Sequence, residues 1–186
     1  MMAVAVIFLA VFPAAAADSQ FEAILARIDT PRGVSIPFVE KRKNPLLEEP
    51  LVLTGEVAFD QDGRLSKTIE SPFRERVTIS RDAVELERDG RTRRLSLRRK
   101  DDVRAFYIAL RALLEGDAKA LNELFEIETT TDAERWTLVL VPAGPPLSEF
   151  LESMVISGHS AQVSRIRTVQ SEDDWQEMTF DTGGAE

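Results

Sequence analysis

The stretch L-V-L-T-G-E-V-A-F, Leu51 to Phe59, decides the fold. Leu51, Leu53, Gly55, Val57 and Phe59 alternate with Val52, Thr54, Glu56 and Ala58, and a period of two is the mark of a half-buried β-strand. The pattern repeats on both sides. Ile36 to Arg42 precedes it as a candidate first strand, across a Pro-bounded loop from Asn44 to Pro50. After the D-Q-D-G turn, Asp60 to Gly63, come Arg64 to Ile69 and then Phe73, Glu75, Val77 and Ile79 alternating with Arg74, Arg76 and Thr78. Val84 and Leu86 return through Asp89-Gly90, a strong hairpin dipeptide, to Leu95 and Leu97. Short strands with a turn every ten residues or so predict an antiparallel meander and argue against βαβ units.

The period then changes. Asp101 is placed to cap a helix with Val103, Phe106, Tyr107, Leu110, Leu113 and Leu114 on a 3.6-residue stripe, ended by Gly116. Asp117 caps a second helix carrying Leu121, Leu124 and Phe125. Trp136 to Val141 is a nearly unbroken apolar run, read as a strand covered on both faces. Leu147 to Leu151 reads as a helical turn. Met154 to Ser157, Gln162 to Val169 and Trp175 to Phe180 complete about ten expected strands. Near the start, Ser19 and Glu22 form a capping box ahead of the stripe Phe21, Ile24, Leu25 and Ile28. The fold class expected is α+β, mainly antiparallel β. A sheet this large curls, and helices inserted within it cover its concave face. Space they leave unfilled would be an apolar cavity.

Met1 to Phe12 is wholly apolar, and Pro13 and the A-x-A step at Ala15 and Ala17 precede Asp18. This predicts a signal peptide over residues 1–17, although no Lys or Arg precedes the apolar run. Cleavage after Ala17 leaves residues 18–186, enough for one domain. The net charge of −9 opposes nucleic acid, whose binding needs a basic footprint. With no Cys there are no disulfides, thiolate metal sites or lipid-anchoring cysteine, and the 44% hydrophobic content must supply the core.

Little in the chain suggests an enzyme. His159 is the only histidine and lies in the turn Gly158-His159-Ser160, with no G-x-S-x-G elbow. Glu172-Asp173-Asp174 lacks the ligand spacing of a calcium loop. No metal site, G-x-G-x-x-G or Walker pattern occurs. Arg91, Arg93, Arg94, Arg98, Arg99 and Lys100 stand out in an acidic chain. They read either as a solvated, edge-protecting strand or as a docking patch for anionic lipid headgroups or an acidic partner.

Several motifs, in order, resemble the LolA-related branch of the periplasmic lipoprotein-carrier family. They are F-V-E-K-R at Phe38 to Arg42, G-x-V-x-F at Gly55 to Phe59, and L-L-E-G-D at Leu113 to Asp117 with L-x-x-L-F at Leu121 to Phe125. W-T-L-V-L-V-P follows at Trp136 to Pro142, then I-S-G at Ile156 to Gly158 and D-D-W-Q-E-M-T-F at Asp173 to Phe180. The resemblance implies an unclosed, half β-barrel with a helical lid over an apolar concave face. It also implies a monomer without catalytic residues or cofactor, which carries lipoprotein acyl chains or another amphiphile between inner- and outer-membrane donor and acceptor proteins. The expected apolar contacts are Leu53, Val57, Phe59, Phe73, Val77, Leu95, Leu97, Phe106, Leu110, Trp136, Leu138 and Met154. Carriers proper tie lid to barrel with an arginine in an R-P pair; the candidate here, Arg64, sits in D-G-R-L, which leaves lipoproteins and free amphiphiles both open as cargo. The alternatives are an envelope protein-interaction module and a hydrolase of envelope lipids that depends on His159.

Overall fold

The computed structural model describes residues 14–28, 31–97 and 101–181, with the side chains of residues 14–19, 101–103, 106 and 110 outside that description. Helix α1 (Ala14–Leu25) is followed by β1 (Ser35–Lys43), β2 (Leu51–Phe59), β3 (Leu65–Ser71), β4 (Glu75–Ile79), β5 (Ala83–Arg88) and β6 (Arg91–Ser96). Helices α2 (Asp101–Glu115) and α3 (Ala118–Leu124) come next. The chain ends with β7 (Phe125–Asp132), β8 (Arg135–Pro142), β9 (Ser153–His159), β10 (Gln162–Ser171) and β11 (Asp174–Phe180), and a single 3-10 turn, Leu147–Glu149, separates β8 from β9.

All eleven strands form one open antiparallel sheet, in the order β6-β5-β4-β3-β2-β1-β11-β10-β9-β8-β7. Consecutive strands pair within β1–β6 and within β7–β11, β6 and β7 do not pair, and β1 also pairs with β11, Phe38 opposite Phe180 and Glu40 opposite Met178. First and last strands therefore meet in mid-sheet, and β6 and β7 are left as its edges. The α2–α3 segment is the only link between those edges, and it covers part of the inner face. This is the unclosed half-barrel with helical lid that the sequence led us to expect.

The strand count differs from expectation by one. Phe125 was assigned to the second helix, where it follows Leu121 at i+4. It is instead the first residue of β7, whose Phe125 and Ile127 face inward between Glu126 and Glu128. Nor is β8 covered on both faces. Trp136, Leu138 and Leu140 are buried, but Val141 is 42% exposed, because only the inner face of this sheet has a partner layer. In the full-length chain α1 starts at Ala14, five residues ahead of the start that the capping box at Ser19 predicts, and Ala14–Ala17 are strong helix formers. The helical bonds continue to Ile28, whose N–H donates to the Ile24 carbonyl.

The expected stop at Gly116 is a Schellman cap. Gly116 adopts φ +69° and donates to the Leu113 carbonyl at 3.3 Å, while the Asp117 N–H reaches Ala112 O at 2.8 Å. The Asp117 carboxylate then accepts from the Ala120 N–H at 3.0 Å and starts α3. Five residues, L-L-E-G-D, thus fold the lid back on itself.

Two apolar clusters support the sheet. The larger joins Phe21, Ile24 and Leu25 of α1, Ala105, Ala109, Ala112 and Leu113 of α2, and Leu121 of α3 to Trp136, Leu138, Leu140, Met154 and Ile156. Fully burying side chains such as Leu138 or Ile156 contributes about 1.5–3 kcal/mol each. The alanines at i, i+4 and i+7 give α2 a buried small-residue face in this cluster, where the helix lies closest to α3 and the Leu147–Glu149 turn. The smaller cluster holds Phe38, Leu53 and Ile69 on β1–β3 and has no helix of its own.

Trp136 fixes the far side of the core. Its indole lies across Gly158, and its Nε1–H donates to Ser160 O at 3.0 Å. A Cβ on Gly158 would sit 2.1 Å from the Trp136 ring and 2.3 Å from Gln162 O. Gly158→Ala is therefore expected to lower unfolding free energy by about 1–3 kcal/mol in urea titration. Gly144→Ala, where a Cβ meets nothing within 4 Å, serves as the control. Equal effects would show that the indole shifts freely.

Candidate functional site

The inner face of β1–β3 follows from register. Ile36 lies opposite Val57, Phe38 opposite Gly55 and Glu40 opposite Leu53, while Phe59 faces Leu65 and Val57 faces Lys67. The outermost row bounds an apolar groove of about 430 Å³, lined mainly by Ile36, Val57, Phe59, Leu65, Phe180 and, from the lid, Leu114. Its volume falls within the ligand-pocket range. The segment after α1 forms a rim. Arg32 bridges to Phe59 in parallel, the Gly33 N–H donates to Phe59 O at 2.8 Å, and the Arg32 guanidinium stacks 4.6 Å above the Phe59 ring.

One or two rows deeper the apolar face is interrupted. Glu40 is fully buried, and Arg42 grips its Oε1 through Nε at 2.9 Å and Nη2 at 2.6 Å. The Lys67 ammonium donates to Oε2 and lies 5.1 Å from the Phe38 ring centroid. Burial lowers the Lys67 pKa below its usual 10.5, against the pull of Glu40.

A second, polar cleft of about 590 Å³ also lies beside α2, with Arg64, Arg81, Asp82, Arg94, Tyr107 and Arg111 on its walls. It shares Arg81, Asp82, Tyr107 and Arg111 with a neighbouring hollow of about 600 Å³ that reaches Leu97 and Arg104. Arg64 thus shares walls with Tyr107 and Arg111, but no hydrogen bond or ion pair joins its side chain to the lid among the described residues.

The expected apolar contacts separate. Val57 and Phe59 line the groove. Leu53 lies beneath it in the smaller cluster, against which Val57 and Phe73 also pack. Trp136, Leu138 and Met154 belong to the helix-covered core. Val77 is half-buried on β4, Leu95 is 55% exposed on edge strand β6, and Leu97 is buried beside the hollow under α2. Phe106 and Leu110 lie on α2 with their side chains outside the described residues, as are Arg98, Arg99 and Lys100 altogether. Ile36, Leu65 and Phe180 were not among the expected contacts; only the pairing of β1 with β2 and β11 brings them to the groove.

His159 is exposed, with Nδ1 3.3 Å from Ser160 Oγ. That hydroxyl donates to Glu134 at 2.8 Å, and no carboxylate orients the imidazole among the described residues. The three groups therefore do not form a nucleophile–base–acid relay.

An open half-barrel with a helical lid beside an apolar groove is the architecture of a carrier that shields apolar chains. The family model described as outer membrane lipoprotein carrier protein LolA-like matches residues 13–186, so the chain belongs to that family, a lipid- or lipoprotein-binding carrier fold. No curated protein matches the chain. Among solved structures it resembles a LolA superfamily protein from Nitrosomonas europaea (7% identity, TM-score 0.44, 89% of this chain and 91% of that one). It also resembles a putative outer membrane lipoprotein-sorting protein domain from Vibrio parahaemolyticus (13%, 0.43, 94% and 96%). A third is the MucA/MucB complex of Pseudomonas aeruginosa (13%, 0.45), of which the chain spans 58% while 90% of its own length is covered. At those TM-scores the likeness is loose, and family membership rests on the family model.

Glu40→Ala would leave Lys67 and Arg42 in the sheet interior without their carboxylate, and is expected to cost about 3 kcal/mol in urea unfolding. Glu85→Ala, which breaks the exposed Glu85–Arg94 pair, should cost about 0–1 kcal/mol. Because the folded Lys67 pKa is lowered, the unfolded chain binds more protons at alkaline pH. The Lys67 contribution to stability therefore rises as pH climbs from the folded pKa towards 10.5. Across that window the wild type should gain on Lys67→Met; a gap that ignores pH contradicts the assignment.

Proposed function

We propose that this protein is a non-catalytic periplasmic carrier that binds the acyl chains of a lipoprotein or another amphiphile. It is secreted by a signal removed after Ala17, and the domain over residues 18–186 ferries its cargo towards the outer membrane. The observation that carries the reading is the groove beneath Leu114, an apolar space in the range for ligand pockets inside a family of carriers. Burying an acyl chain there gains roughly 0.8 kcal/mol per CH₂. The rim at Arg32 and the lid at Leu114 are the parts that would move for release.

The interaction-module alternative draws on β6, an edge strand with every residue exposed and Leu95 among them. The two differ in what fills the groove. An apolar fluorescent probe should bind the wild type and be displaced by a fatty acid. Val57→Trp fills the groove and should weaken that binding at least about tenfold, roughly 1.4 kcal/mol, with its melting temperature little changed. Val52→Trp, on the exposed outer face, should bind as the wild type does. A probe that binds all three equally would place it elsewhere and remove the groove from the function.

A further inference from the structure

The apolar groove and the polar cleft both border α2, and their walls come from neighbouring residues. Tyr107, Arg111 and Leu114 follow one another at i+4 and i+3 on a single face of α2. Leu114 lines the apolar groove, and Arg111 and Tyr107 line the polar cleft. The opposite wall changes character at the same place: Leu65 borders the groove and Arg64, its chain neighbour, borders the cleft. Along less than two turns of α2 the lining passes from aliphatic to charged.

The charges at the polar end are not all spent on one another. Arg94 is paired with Glu85 at 2.7 Å and Arg111 with Glu115 at 2.9 Å. Asp117 is engaged in capping α3. Arg64, Arg81 and Arg104 are exposed and have no carboxylate partner among the described residues. Against them Asp62 is the cleft carboxylate without a described partner; Asp82 is engaged in an interaction of its own. The surrounding chain is basic as well. Residues 64–111 hold 14 of the 23 Lys and Arg but 8 of the 32 Asp and Glu, a net +6 that leaves −15 for the rest.

We propose that the cargo is an anionic amphiphile, bound with its chain in the groove under Leu114 and its phosphate or carboxylate headgroup at Arg64 and Arg81. This rests on the carrier reading and adds the headgroup class and the orientation of the bound molecule. Guanidinium groups suit it, since they hold such anions in bidentate, charge-assisted hydrogen bonds.

The test compares two ligands with the same acyl chain, lysophosphatidic acid and monoacylglycerol, on the purified, delipidated protein. Lysophosphatidic acid should bind at least about tenfold more tightly at low salt, with the gap narrowing as salt rises. In Arg64→Gln/Arg81→Gln that preference should vanish while monoacylglycerol affinity stays at the wild-type value. Both positions are exposed, and circular dichroism checks that the variant folds. Equal binding of the two ligands by the wild type, or a preference that survives in the double variant, overturns the headgroup site and leaves the carrier reading standing. Failure of the wild type to bind either ligand overturns both.

Discussion

Everything in this structure depends on the pairing of β1 with β11. It ties the two ends of the strand series together in the middle of the sheet and leaves β6 and β7 as edges that one stretch of chain must connect. In a flat sheet of eleven strands those edges would stand roughly 48 Å apart. Helices of 15 and 7 residues span about 22 and 10 Å, and because α3 packs back against α2 the two lengths do not add end to end. The sheet must therefore curl to bring its edges within reach of the lid, and the lid must cross the concave side. Half-barrel and cover follow from the same topological fact.

The cover is uneven. The alanine face of α2, together with α1 and α3, packs against the β7–β10 half and buries it. Over β3–β6 the inner residues Leu65, Val77, Ile79 and Leu86 stay half-buried, and Leu95 is largely exposed. Between these regions the buried Glu40–Arg42–Lys67 cluster interrupts the apolar inner face. A carboxylate with two cationic partners is costly to desolvate and adds little net stability. Its effect is to mark where the groove ends.

Much of this was legible in the sequence, because strand period, hairpin dipeptides and the L-L-E-G-D cap are local signals. The strand β7 was not, since Phe125 continues a helical stripe even as Phe125 and Ile127 begin to alternate with Glu126 and Glu128. Local competition hid the boundary. The seat of α2 was also hidden: Ala105, Ala109 and Ala112 do not stand out among large apolar residues, yet they form its buried face. Site residues were the least legible. Alternation places Leu53, Val57 and Phe59 on one face but cannot say that Val57 and Phe59 border open space while Leu53 is sealed, because that depends on what pairs and packs beyond the strand. Glu40 shares a face with Phe38 in the same alternation, and its charge gains its meaning from Lys67, 27 residues away.

The most direct test is to purify the protein gently from its own cells and examine it by native mass spectrometry, then extract and identify what it holds. A carrier should retain a stoichiometric amphiphile with at least one long apolar chain, released when organic solvent unfolds the domain. Protein that emerges free of lipid, and that also excludes an added acyl chain, would contradict the central claim that the space under the lid exists to be filled.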